Sequence, residues 1–257
     1  MTGEGRRWTR EQLVVAFALY CKTQFGKMHR GNPEIVEVAK RIERTPSSLA
    51  MKLVNFASLD PAIIASGRKG LGNASAADKQ IWDEFHANWD RVAVESSRIL
   101  EPSVNQKRSD SEELEERLQD FGAEARRAFV EVRTKQSFFR DTVVSSYQGR
   151  CCMSGLAVPS LLNASHIVPW KIDRSNRLNP RNGLSLSTLH DRAFDRGLIS
   201  VRPDYRIIVS RRLKAAKRDP FLASSLLALE DRMIALPEKF HPDKRFLEYH
   251  FTKVFGN

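Results

Sequence analysis

The sequence predicts an α+β protein, with a helical N-terminal module and a C-terminal domain of short strands and flanking helices. Three observations point that way. Before residue 94, apolar side chains recur at helical intervals behind capping residues. Between residues 161 and 209 the apolar runs are short and bounded by turn residues, as strands are. Hydrophobic residues make up 41% of the 257. That is enough for one large core or two smaller ones, and it excludes wholesale disorder.

The first part spans residues 8–94. Thr9 can cap a helix that begins at Arg10 and carries Leu13, Ala16, Phe17 and Tyr20 on one face. Asn32-Pro33 opens a second helix with Ile35, Val38, Ala39 and Ile42. Thr45-Pro46 opens a third, with Leu49, Leu53, Val54 and Phe56 apolar, and Asp60-Pro61 ends or redirects it. A glycine-rich loop at 67–72 precedes one helix predicted over 77–91, bearing Ile81, Trp82, Phe85 and Trp89. Residues 95–136 read as a polar linker and then a charged helix with Leu114, Leu118, Phe121, Ala125 and Phe129 at helical intervals, a spacer or a homodimer surface. Its acidic start, Glu112 to Glu116, suits the positive end of a helix dipole. Residues 137–257 form the third part. A short helix through Phe138, Phe139 and Val143 comes first, and Leu161 to Ser165 can form a strand. Two more strands flank the turn at Arg202-Pro203-Asp204. A helix over 220–233 and an aromatic tail follow.

The formal net charge of +11 favours a polyanionic partner. From His166 to Arg218 there are 13 Lys/Arg against 4 Asp/Glu, a net of +9. Three cysteines, Cys21, Cys151 and Cys152, make no disulfide framework. Without a CxxC pair a structural zinc knuckle is not supported. Cys151 and Cys152 read as small core residues in a reducing cytosol. No apolar run behind Met1–Arg7 resembles a signal peptide, and no segment has the roughly 18 apolar residues of a membrane span. The sequence therefore predicts a cytoplasmic protein with no membrane partner.

The chemistry concentrates in one stretch. Asn163-Ala164-Ser165-His166-Ile167-Val168-Pro169-Trp170 is followed by Asn179-Pro180-Arg181-Asn182-Gly183-Leu184 and by Leu189-His190-Asp191-Arg192-Ala193-Phe194-Asp195-Arg196-Gly197. An unperturbed imidazole titrates near neutrality, so His166 suits general-base work. Asn182-Gly183 is also a turn signal. Asp191 and Asp195 are four residues apart, share a helical face and could reach one cation. His190 points about 100° away from Asp191 on an ideal helix.

The string from Cys152-Met153-Ser154-Gly155 through Phe194-Asp195-Arg196-Gly197-Leu198-Ile199 resembles bacterial restriction-type HNH endonucleases, whose motif is the ββα-metal fold, centred here on residues 151–200. The resemblance implies hydrolysis of DNA phosphodiesters with one divalent metal, Mg²⁺ or Mn²⁺. It gives His166 the role of general base and Asn182 that of the loop-pinning residue. The metal falls to Asp191 and Asp195, or to His190, which literally completes His-Asn-His. Many members carry an acidic or imidazole ligand immediately before the base histidine; here Ser165 stands there. Lys171, Arg177 and Arg181 are candidate contacts to double-stranded DNA. The N-terminal part, from Trp8-Thr9-Arg10-Glu11-Gln12-Leu13 to Arg44-Thr45-Pro46-Ser47-Ser48-Leu49, is similar to Myb/SANT-type helix-turn-helix modules. That similarity implies a third helix in the major groove, with Arg44, Ser47, Ser48, Lys52 and Asn55 at phosphates or base edges. Two other readings remain at this stage: a DNA-binding protein with a vestigial nuclease fold, and an RNA-directed nuclease of a defence or toxin system.

Overall fold

The computed structural model describes residues 7–68, 72–100, 123–216 and 218–256. The protein is α+β, and the chain divides into two compact units. The first is bounded at Met1–Leu59 and Arg68–Phe138, the second at Asp60–Gly67 and Phe139–Asn257. Part of the glycine-rich loop, the linker at 101–108 and the stretch bearing Leu114, Leu118 and Phe121 lie outside the described residues. Among the described residues no helix is long and apolar enough to cross a membrane.

The first unit is helical, and its starts are written locally. Helix α1 (Arg10–Lys22) begins at a capping box in which the Thr9 hydroxyl accepts from Gln12 N and the Gln12 side chain accepts from Thr9 N. Helix α2 (Pro33–Arg41) is capped by Asn32, and α3 (Pro46–Ala57) by Thr45. In the second unit, the short α4 (Pro61–Ala65) is capped by Asp60, so the Asp60-Pro61 pair starts a new helix. Back in the first unit, the predicted helix over 77–91 is two helices, α5 (Ala76–Ala87) and α6 (Trp89–Leu100). Asn88, at φ −151° and ψ 89°, leaves the helical region and breaks the run. Helix α1 is buried from Leu13 to Cys21, as a central helix must be. Around its Phe17 lie Phe56 at 5.2 Å edge-on and Phe85 at 5.4 Å stacked, with Trp82 and Trp89 beyond.

Helix α7 (Ala123–Ser146) runs for 24 residues. The short helix expected through Phe138, Phe139 and Val143 is its C-terminal part. In the second unit, strand β1 (Leu162–His166) pairs antiparallel with β2 (Gly183–Ser187). The register sets His166 opposite Gly183 and Ser165 opposite Leu184. Helix α8 (Thr188–Asp195) follows β2 directly, with Ser187 as its N-cap. Strands β3 (Ile199–Val201) and β4 (Ile207–Val209) form a second hairpin. Beyond them come α9 (Arg211–Ala215), α10 (Pro220–Ser225) and α11 (Lys244–Lys253).

The helix predicted over 220–233 stops at Ser225, because the residues beyond it are recruited to a strand edge. Asp231 takes a left-handed φ of 60°. Its N–H donates to Ile207 O, Ile207 N donates to Arg232 O, and Met233 bridges Arg206. Gly183 explains how β2 packs on α7: a Cβ there would run into the side chains of Val143 and Phe139. Gly197 takes φ +62° and lies against the Val254 carbonyl, where any side chain would collide.

Candidate active site

His166 ends β1, and its ring is held on three sides. Its Nε2 lies 2.8 Å from the Arg177 carbonyl oxygen, so this nitrogen carries the proton and donates it. Phe139 of α7 stacks on the ring at 4.0 Å and 10°, and Trp170 meets it edge-on at 5.3 Å. Nδ1 is thereby the lone-pair nitrogen. Burial lowers the imidazole pKa below 6.5. The Arg177 carbonyl and Asp191 act in the opposite direction, but the ring is still neutral at pH 7.

Asn182 is buried at 1% exposure. Its Oδ1 accepts from Val168 N at 2.8 Å. Its Nδ2 donates to Val168 O at 3.3 Å and to Asn176 O at 3.2 Å. These bonds tie both ends of the 168–182 loop together, and the same loop supplies the carbonyl that orients His166.

Asp191 and Asp195 lie one turn apart on α8. Asp191 Oδ2 accepts from Asn163 Nδ2 at 2.7 Å. Burial raises the Asp195 pKa, and the Asp191 charge raises it further. Asn163 and Ser165 share one face of β1, and Ser165 Oγ is buried without a hydrogen-bond partner among the described residues. Sequence reasoning missed Asn163. Its signal was the alternation that puts it beside Ser165, the position at which related motifs carry a ligand.

The donor chemistry fits a hard divalent cation. Two carboxylates one helical turn apart, with Asn163 bonded to Asp191, are oxygen donors of the kind such an ion takes. Among the described residues no group of three or more His, Cys, Asp or Glu side chains could hold a metal ion. His190 is turned elsewhere. It is 4% exposed. Its Nδ1 lies 2.9 Å from Ser187 Oγ and 3.3 Å from Cys151 Sγ, and its Nε2 lies 3.2 Å from Ser225 O. With both ring nitrogens engaged, it has no lone pair aimed at a cation beside Asp191. Burial raises the Cys151 thiol, but hydrogen bonds from His190, Ser154 and the backbone outweigh it and bring the pKa to about 6. Cys21, Cys151 and Cys152 are all buried.

Residues 151–202 match the family model for HNH endonuclease. The match covers 52 of the 257 residues, from Cys151 through β1, β2, α8 and β3. This segment is therefore similar to HNH endonuclease domains, which generally use a divalent metal. No curated protein matches the chain.

The candidate DNA contacts of the HNH segment are unequal. Lys171 and Arg181 are exposed. Arg181 also donates to His241 O and pairs with Asp243 at 3.5 Å. The Arg177 guanidinium covers the Trp170 ring at 4.8 Å and its Nε donates to Trp170 O, so it braces the loop. Part of the local positive excess is neutralised internally: Arg202 and Arg206 pair with Asp231, and Lys214 with Glu230.

In the first unit two candidates are engaged by partners within the protein. Arg44 is 8% exposed, donates to Gln12 Oε1 and Arg7 O, and lies over Trp8. Lys52 is 7% exposed and binds both Asp78 oxygens, at 2.7 and 3.0 Å. Both side chains are buried against these partners. The signal was in the spacing, since Lys52 falls within the apolar stripe of Leu49, Leu53 and Phe56. Ser47 is exposed, and Ser48 and Asn55 are half-buried on α3. Ser48 N donates to the Thr45 cap, and Asn55 O accepts from the Ser58 hydroxyl.

Proposed function

We propose that this protein is a restriction-type DNA endonuclease. In this reading His166 activates water, Asn182 fixes the loop, and Asp191 and Asp195 hold one Mg²⁺ or Mn²⁺. The observation that carries it is the His166 ring: one nitrogen is bonded to the Arg177 carbonyl, the other is a lone pair, and the pKa is pushed below 6.5. A water hydrogen-bonded to Nδ1 gives up its proton to that nitrogen as its oxygen attacks phosphorus and the P–O bond to the leaving oxygen breaks. The cation, when bound, neutralises charge on the phosphate and the leaving oxygen. Asn163 holds one Asp191 oxygen, leaving the other for the cation. The stack on Phe139 and the Arg177 carbonyl stop the imidazole from turning away as it becomes positive. His190 is assigned to the packing of α8, beside Cys151 and Ser225. Lys171 and Arg181 contact backbone phosphates, while the helical N-terminal unit contributes affinity through the rest of α3, Ser48 and Asn55 included.

The non-cleaving reading draws on one observation, the hydroxyl of Ser165 where related motifs carry a stronger ligand. Purified full-length protein incubated with modified and unmodified plasmid and with RNA, in Mg²⁺, Mn²⁺ or EDTA, separates the alternatives. Metal-dependent nicking of DNA that is lost in His166→Ala supports the proposal. DNA binding without cleavage under every metal favours the vestigial fold, and RNA as the sole substrate favours the third reading. Sedimentation of the same sample tests the homodimer surface read from α7, where Phe129, Val130 and Val132 are exposed.

A further inference from the structure

The loop between β1 and β2 presents an isoleucine to solvent. Ile172 is 61% exposed. A single exposed aliphatic side chain is ordinarily unremarkable. Three features distinguish this one.

The first is rigidity. Ile172 N donates to Pro169 O at 2.9 Å. The next residue, Asp173, gathers four hydrogen bonds: from Ser175 N and Oγ at 3.1 and 2.7 Å, and from Asn176 N and Nδ2 at 3.2 and 2.7 Å. The second is connection to the chemistry. Arg177 O holds His166, and Asn176 O accepts from Asn182. The position of Ile172 relative to the general base is thereby set by a short, hydrogen-bonded stretch of chain. The third is charge. Lys171 and Arg174, on either side of Ile172, are both exposed, as is Arg181 at the far end of the loop. An apolar tip between cations on a rigid base matches a duplex groove, in which phosphates flank an apolar stack of bases.

We propose that Ile172 is an apolar wedge that enters the minor groove of duplex DNA and parts a base step near the scissile phosphate, while Lys171 and Arg174 hold the flanking phosphates. This rests on the nuclease reading of the same site. Such side chains unstack one step and kink the duplex. The cost depends on sequence and is smallest at pyrimidine–purine steps, so part of the enzyme's sequence preference comes from deformability at this step.

The test uses the full chain with Ile172→Ala and a conservative Ile172→Leu. Cut ends from a mixed-sequence plasmid are sequenced, and rates are compared on an intact duplex and on the same duplex carrying a mismatch. Ile172→Ala should slow intact-duplex cleavage by about tenfold or more, because the base step must then be parted without the wedge. It should lose much less on the mismatched duplex, flatten the enrichment of cuts at pyrimidine–purine steps, and be rescued by Ile172→Leu. In parallel, duplexes with 2-aminopurine at successive positions are titrated in EDTA. The wild type should raise the emission at one step, and Ile172→Ala should not. An unchanged ratio of intact to mismatched rates, or an unchanged cut-site profile, overturns the wedge. If the wild type cuts nothing under any metal, the nuclease reading fails. The wedge then stands or falls on the 2-aminopurine signal alone, and absence of that signal in the wild type removes it.

Discussion

Lowering the pH should loosen the second unit through one residue outside the proposed chemistry. His250 of α11 is 1% exposed. Its ring stacks on Phe194 at 3.6 Å and 11°. Its Nδ1 lies 2.8 Å from Ser200 Oγ, and its Nε2 lies 3.2 Å from Phe194 O. Burial lowers the pKa from 6.5 to about 4, with the Phe194 carbonyl opposing the shift. The neutral ring is therefore the folded form. Above pH 6.5 neither the folded nor the unfolded chain takes up the proton and this residue's stabilisation is fully present. As pH falls the unfolded chain is protonated first, and the stabilisation drains away until the folded ring protonates near pH 4. The shift corresponds to roughly 3 kcal/mol over the whole window, of which about 2.5 kcal/mol is lost by pH 4.5. The assay is hydrogen exchange of peptides from α8, β3 and α11 at pH 7 and pH 4.5, for the wild type and His250→Gln, whose amide can still bridge Ser200 and Phe194. Comparison of the two proteins at each pH cancels the intrinsic exchange rate and the contribution of other groups. The wild type should lose about 2.5 kcal/mol more protection between the two pH values than the variant does. Equal losses would refute the assignment of this acid sensitivity to His250.

Other expectations concern the site and the first unit. Cleavage should keep its full rate below the pH at which an ordinary imidazole is protonated, because burial lowers the His166 pKa. Phe139→Ser, which uncovers the ring, should move the acid limb of kcat/KM upward. Asn182→Ala removes three hydrogen bonds and leaves Val168 N–H buried and unpaired. It should cost about 1–3 kcal/mol by urea denaturation and lower kcat more than it raises KM. Asp191→Ala and Asp195→Ala should each be partly rescued by raising the Mg²⁺ or Mn²⁺ concentration, whereas His166→Ala should lose roughly 10²-fold to 10⁴-fold in rate with no such rescue. Lys52→Ala strands the Asp78 carboxylate, 0% exposed, so it should destabilise the first unit by about 3–5 kcal/mol while the salt dependence of DNA binding stays unchanged.

Legibility in the sequence followed the range of the interactions. Thr9, Asn32 and Thr45 announced their helices because a cap is settled within three residues. The β1–β2–α8 order was legible through the resemblance of the His166, Asn182 and aspartate string to a known motif; only the shared face of Asp191 and Asp195 followed from helix geometry itself. Asn88 as a break was not legible, since the apolar spacing runs through it, and only its backbone angles separate α5 from α6. The end of α10 was hidden because it depends on residues 231–233 pairing with β4, a tertiary choice. The pairing of Lys52 was not legible, because its partner Asp78 lies 26 positions away and is unmarked in the sequence. Likewise, nothing local tells that His190 belongs to Cys151 and Ser225 and not to Asp191.

The reach of the HNH segment's own contacts has a practical meaning. The matched stretch ends at Arg202, yet Gly197 O accepts from Gly256 N, Phe194 O and Ser200 Oγ meet His250, and Gly183 is closed over by Phe139 and Val143. A fragment trimmed to the matched residues would strip the wall behind His166 and the tail that seals the end of α8. Anyone transplanting this segment into a chimera should carry the chain from the last turns of α7 through residue 256, and should attach any fusion partner by a linker long enough to leave the bond at Gly197 undisturbed.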